Sequence, residues 1–329
     1  MAFFQHLVSK MLENLPCANF SKSSINHFNG SIGSAFFSGR QKKPSTNYCA
    51  EGTDLNNDLR KMLIDIQPES PKFKCSACGT CCSHIRGIIP KDDKKFIEEY
   101  AFGKLPVVQL VPVDKMTFPL WDWEAKRFSG WQLDADVDAC IKPLRAIMDL
   151  KSNKAIILTY FMDGETDACP FLKNSKCSIY HTKRAYVCRL FPFNRGPFIN
   201  HEGMQLREGM FGECGAMEQI LPQVPEEFEK MVKFLYDAFP DGSFLNAVQN
   251  DFVVEWSNKV ITDLIRKRII KPAMNYPYNF LLKRTANAEK IDFTDFLAES
   301  GYLTEREIQD SIRRFDINAD AREKLKQYL

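Results

Sequence analysis

Hydrophobic and polar positions divide the chain into stretches of different texture. Near the start, Phe4, Leu7, Val8, Met11, Leu12 and Leu15 recur at helical spacing and predict a short amphipathic helix before Pro16. The same spacing in Leu55, Leu59, Met62 and Leu63 predicts a helix over Asp54 to Ile66, capped by Thr53 and ended by Pro68 and Pro71. Pro90 followed by Lys91-Asp92-Asp93 predicts another through Phe102, closed by Gly103. Val107 to Val113 and Ala155 to Met162 are rich in β-branched and aromatic residues and read as strands. The segment holding Trp121, Trp123 and Trp131 reads as further strand or packed loop between them. A short helix is predicted over Thr182 to Leu190, and Pro192 and Pro197 then stop regular structure.

Beyond Pro225 the period is helical. Phe228, Met231, Val232, Leu235 and Phe239 share one face, and Leu245 to Ile265 continue the pattern. Thr304 with Glu307 makes a capping box, and Asp320 with Glu323 predicts a similar start for the last helix. The expected fold is therefore α+β: an extension over 1–52, a cysteine-bearing domain over 53–220, and a mostly helical C-terminal region over 221–329.

Charge changes this picture only at the N-terminus, where Lys10, Lys22, Arg40, Lys42 and Lys43 stand against Glu13 alone in a serine-rich setting. That composition fits a transit peptide for a mitochondrion or plastid, or a flexible extension of a cytoplasmic protein. Over the whole chain, 44 basic and 42 acidic side chains give a formal charge of +2, so no global field points to nucleic acid or acidic membranes. A protein partner, if any, is expected on the helical C-terminal region. The apolar runs Leu105 to Val113 and Ala155 to Met162 are too short to span a bilayer, and no transmembrane segment is predicted.

The chemistry lies in cysteines. Seven of the eleven fall into two groups, Cys75, Cys78, Cys81 and Cys82 within a few residues, then Cys169, Cys177 and Cys188. Four thiols so close cannot all pair as disulfides with acceptable geometry, so they read as thiolate metal ligands. C-x2-C-x2-C lets three thiolates wrap three corners of a [4Fe–4S] cluster while a distant cysteine, for which Cys169 is the natural candidate, takes the fourth. Zinc suits the first knuckle too, but structural zinc sites usually pair two knuckles, and C-x7-C-x10-C is not one. Spacing leans towards iron–sulfur, with zinc as the alternative.

Because neighbouring side chains point apart, Cys82 is expected to serve a different position from Cys81. The seven cysteines with Cys214 would fill two four-ligand sites, while one site would leave three or four thiols for packing. Arg184 and Arg189 flank Cys188 and are placed to offset thiolate charge; their alternative is an exposed salt bridge. Phe171, Tyr180, Phe191 and Phe193 would keep water from a cluster, or simply form aromatic core.

The runs C-S-A-C-G-T-C-C, C-P-F-L, C-S-I-Y and C-R-L-F-P-F together resemble the CxxCxxCC, or YkgJ-like, cysteine-cluster family, described as a zinc- or iron-chelating domain. The resemblance covers about Phe73 to Phe193. It departs at Lys183-Arg184-Ala185, where the family more often has Arg-Pro. It implies that Cys75, Cys78, Cys81, Cys82, Cys169, Cys177 and Cys188 chelate the metal, and supplies no reaction; the many thiols without a catalytic constellation point to a redox, sensing or scaffolding role. Flagellin lysine N-methylases share this pattern, so the resemblance also raises methyl transfer from S-adenosylmethionine to protein lysine as an alternative.

Other signals are weaker. His84 and His181 lie near the cysteines and read as surface or supporting groups more readily than as ligands. Asp316, Asn318 and Asp320 mimic half a calcium loop, but Ala321 stands where glycine is required, and helix capping explains them better. Arg266, Lys267, Arg268 and Lys271 near Tyr276 and Tyr278 read as a solvated helix face. No hydrolase or phosphate-loop motif is present.

Overall fold

The computed structural model describes residues 71–86, 106–112, 115–164, 166–180, 184–199 and 210–329. The helices expected over 4–15, 54–66 and 91–102 lie outside these residues, as does the extension itself. The elements are α1 (Thr80–Ser83), β1 (Val107–Gln109), β2 (Pro119–Trp121), α2 (Asp122–Ala135), β3 (Cys140–Met148), β4 (Lys154–Asp163), β5 (Leu172–Lys173), β6 (Lys176–Cys177) and α3 (Tyr186–Leu190). They continue with α4 (Phe228–Ala238), α5 (Ser243–Arg266), α6 (Tyr278–Asn287), β7 (Glu289–Asp292), α7 (Phe293–Glu299), α8 (Glu305–Asp316) and α9 (Ala319–Leu325). The fold class is α+β with a helical C-terminal region, as the pattern predicts.

Strand β4 organises the main sheet. Ala155 to Leu158 are buried without a polar break, as a strand covered on both faces requires. Ile156 and Leu158 enter the large core shared with the C-terminal helices, while Ala155 and Ile157 enter a smaller cluster on the opposite face. β3 pairs antiparallel along one edge of β4. The other edge is divided: β2 pairs antiparallel with Thr159 to Phe161, and β7 pairs parallel with Lys154 to Ile157. β7 thus brings the C-terminal region into the sheet, and the segment between α5 and α6 adds a bridge from Pro272 to Asp149 beside the end of β3.

The tryptophan segment is a correction to the expected strand or loop. Only Pro119–Trp121 is strand; Trp123 and Trp131 lie on α2. Trp121 stacks on Trp123 at 5.0 Å, and Trp123 meets Trp256 of α5 edge-on and Phe315 of α8. α2 uses its other side for Phe128 and Trp131, which belong to the core beneath the cysteines. One helix therefore couples the cysteine-bearing loops to the C-terminal helices.

The helix ends also bear on the sequence reading. Thr304 and Glu307 close the reciprocal capping box expected for α8, with Thr304 N donating to Glu307 Oε2 at 2.8 Å. The box expected at Asp320 and Glu323 does not form. α9 starts instead from Asn318 in the left-handed region, and Gln249 Oε1 accepts the Ala321 N–H at 3.0 Å while its Nε2 donates to Asp320. A buried glutamine on α5 thereby takes over the capping, which sequence adjacency cannot show.

Candidate metal centre

The first cysteine group is a turn followed by a single helical turn. Gly79 has φ 77°, a left-handed conformation that favours glycine. Its carbonyl accepts the Cys82 and Ser83 N–H groups and so starts α1. In the second group, Cys169 N donates to Cys82 O at 2.6 Å and Ile85 N donates to Asp167 O. These bonds clasp the two groups together across more than eighty residues of sequence. The two-residue pairing of β5 with β6 sets Cys177 opposite Leu172, and α3 carries Cys188.

α3 is held by a residue that the sequence does not mark. Glu124 is buried in α2, its Oε1 accepting the Tyr186 N–H at 2.6 Å and its Oε2 the Trp121 N–H at 3.1 Å. One carboxylate thus serves the first turns of both α2 and α3. Burial raises its pKa to about 7 against the lowering effect of those N–H groups and Arg189. A glutamate inside Asp122-Trp123-Glu124-Ala125-Lys126 looks like an ordinary helix-surface residue, and only its separation in space from Tyr186 would have revealed its part.

Cys82, Cys169, Cys177 and Cys188 pack against one apolar cluster that includes Leu120, Phe128, Trp131, Phe171 and Ile179. Cys75, Cys78 and Cys81 are exposed, and Cys81 Sγ lies 3.8 Å from Cys82 Sγ. Hydrogen bonding from Cys82 lowers the Cys81 thiol to about 7, with a further contribution from the Arg184 charge, and Cys82 is raised correspondingly. Bonds from Thr80, side chain first, lower Cys78. Burial pushes Cys169 up to about 11 and Cys188 well up, and each feels the other cysteines of its group. Burial likewise raises Cys214, against the lowering effect of the Ala216 backbone and with the charges of Cys78, Cys75 and Cys81 adding to the rise.

Cys75 shows a feature characteristic of metal-binding turns, a backbone N–H two residues on that is directed at sulfur: Ala77 N reaches Cys75 Sγ at 3.4 Å. The backbone of Thr80, Phe171 and Ala216 lowers the pKa of Cys78, Cys169 and Cys214 in the same sense. Such bonds stabilise thiolate and tune a cluster's potential. Of the two arginines, Arg184 lies 4.1 Å over the Tyr180 ring and is the one whose charge reaches Cys81. Arg189 stacks over Tyr186 at 4.3 Å and acts on Glu124 instead. Phe171 and Phe193 are buried, the former in the cysteine cluster's core and the latter in the large core. His84 pairs with Asp167 at 3.2 Å on the surface, and His181 lies outside the described residues.

Among the described residues, no three Cys, His, Asp or Glu side chains stand at coordinating distance of one point. The donor set nevertheless fits a thiophilic cation. Thiols that raise one another's pKa ionise together only when positive charge lies among them, and cysteine sulfurs can be redirected by rotation about χ1 alone. Within the chain, the Arg184 charge acts on Cys81 and Cys188 in that sense.

Searches of curated proteins and of solved structures each returned no match. Residues 74–210 match the family model described as "CxxCxxCC: Putative zinc- or iron-chelating domain". Through this segment, which begins one residue before Cys75 and contains both cysteine groups, the chain is similar to the CxxCxxCC family.

Proposed function

We propose that this chain is a metal-holding protein whose ligands are drawn from Cys75, Cys78, Cys81, Cys82, Cys169, Cys177 and Cys188, four thiolates to each iron–sulfur cluster of the [4Fe–4S] type, in a redox, sensing or scaffolding role. The observation that supports it most is the clasp between Cys82 and Cys169, which sets the C-x2-C-x2-C turn against the second cysteine group. An N–H directed at the Cys75 sulfur, the Arg184 charge that acts on Cys81 and an apolar floor of aromatic residues suit a reducible anionic centre. When bound, the cluster supplies one-electron chemistry; the chain's own residues hold it, limit water and offset its charge. Zinc in the same thiolates is the second reading, favoured by the knuckle-like Cys75 to Ala77 turn.

Anaerobic purification followed by measurement of iron, zinc, acid-labile sulfide and the visible spectrum decides between them. Iron and sulfide in equal amounts, with broad visible absorbance that dithionite bleaches, is the expected result. Zinc without sulfide, from cells grown with ample iron, would replace the redox role by a structural one.

A further inference from the structure

The family match ends at residue 210, four residues before Cys214. The chain nevertheless returns this cysteine to the centre. After Met210, residues 211–212 run back along 192–194: Asn194 N donates to Met210 O, Gly212 N donates to Pro192 O, and Phe193 pairs with Phe211. A row of rings extends the link to the first cysteine group. Phe73 stacks on Phe239 at 5.0 Å, Phe239 meets Phe193 at 4.6 Å, and Phe193 meets Phe211 at 5.2 Å. Phe73 stands two residues before Cys75 and Phe211 three before Cys214, so the row brings the approaches to both cysteines onto one side of the large core.

The remaining cysteines divide in a matching way. Cys82, Cys169, Cys177 and Cys188 share one apolar cluster, whereas Cys214 packs against the large core. The thiols whose charges bear on Cys214 are Cys78, Cys75 and Cys81, the three exposed cysteines of the first group. Cys81 and Cys82, 3.8 Å apart, lie where the two sets meet. The family's cysteine groups in sequence order do not correspond to these sets in space.

Resting on the metal-holding reading above, the geometry points to two adjoining four-thiolate centres, one formed by Cys75, Cys78, Cys81 and Cys214, the other by Cys82, Cys169, Cys177 and Cys188. Cys214 is then a metal ligand outside the matched segment, and the adjacent Cys81 and Cys82 serve different centres. Exposed Cys140, at the start of β3, belongs to neither.

The test loads metal-free full-length chain with zinc alone under anaerobic conditions and counts bound zinc by native mass spectrometry. Wild type is expected to hold two zinc ions, Cys214→Ser one, Cys177→Ser one and the double variant none. Cys214→Ser holding as much zinc as wild type would overturn the inference while leaving metal binding intact, as would a wild type that saturates at a single ion. A wild type that binds neither zinc nor iron would defeat the metal-holding reading itself. Should Cys214→Ser fail to fold, alkylation of loaded wild type with N-ethylmaleimide gives the same decision. Cys214 is expected to be protected together with Cys75, Cys78 and Cys81 while Cys140 reacts; Cys214 reacting at the rate of Cys140 would exclude it as a ligand.

Discussion

Glu124 Oε1 accepts the backbone N–H of Tyr186 at 2.6 Å, tying α2 to the start of α3 two residues before Cys188. Removing that carboxylate leaves the Tyr186 and Trp121 N–H groups buried without this acceptor. Glu124→Ala is therefore expected to cost about 2–4 kcal/mol in chemical unfolding. Glu124→Gln retains one acceptor oxygen but turns an amide N–H₂ towards the other donor, and should fall between Ala and wild type. Beyond stability, both variants should speed alkylation of Cys188 in the metal-free protein, because α3 loses its anchor. Unchanged Cys188 reactivity in a destabilised Glu124→Ala would mean that the carboxylate supports the core but not the cysteine.

Gly196 approaches α5 so closely that a Cβ would stand 2.4 Å from Asp251 Oδ2 and 2.6 Å from the Ala247 carbonyl oxygen. The Ala247 oxygen belongs to helix backbone and cannot swing aside. Gly196→Ala is expected to destabilise by about 1–3 kcal/mol through overpacking. Gly130, inside α2, has open space at its Cβ position. Gly130→Ala should instead stabilise by about 0.5–1 kcal/mol, since alanine gives up less conformational freedom in a helix. Opposite signs in two denaturant midpoints check the pair; a loss at both positions would contradict the space seen at Gly130.

How much of this was legible in the sequence depended on whether the governing contacts were local. The long helices α4 and α5 and the Thr304–Glu307 box rest on periodicity and near neighbours, and they occur where the pattern puts them. α2 was hidden because Asp122 and Glu124, two buried acids, occupy positions that an amphipathic stripe would fill with apolar residues. β3 carries Lys142, Pro143 and Arg145, and proline argues against a strand; the ladder admits it at register shifts between Pro143 and Ala146. Arg145 is buried and donates to Gln109 on β1 at 3.0 Å, a partner no local reading could supply. At the candidate site, spacing singles out the cysteines as candidate ligands, whereas the Cys82–Cys169 bond and the Phe73 to Phe211 ring row join residues too distant in sequence for spacing to show.

Thr304 offers a separable control. Its Oγ1 accepts the Glu307 N–H at 3.3 Å and its own N–H donates to Glu307 Oε2. Thr304→Ala removes half of this box at the start of α8, for an expected loss of about 1 kcal/mol. Metal content measured on the same preparation should not change, because the cap bears on none of the cysteine loops. A parallel loss of metal would show that α8 supports the centre through α2, whose Arg127 pairs with Asp316 at 2.9 Å.

Asp251 gives a pH dependence with a defined sign. It is buried on α5, where its oxygens accept the Gly196 N–H at 3.0 Å and the Phe198 N–H at 2.9 Å. Burial raises its pKa to about 7, outweighing those bonds and the neighbouring Arg195 charge. The folded state thus binds a proton more tightly than the unfolded chain, whose aspartate titrates near 4. Its contribution to stability is fully present below about pH 4 and is lost as pH rises towards 7. Unfolding midpoints of metal-free wild type should fall between pH 5.5 and pH 7.5, and Asp251→Asn, which cannot ionise, should show a shallower fall even if it is less stable at both. Equal slopes for the two proteins would place the Asp251 carboxyl in its ionised form across that range, held there by the two N–H groups and Arg195.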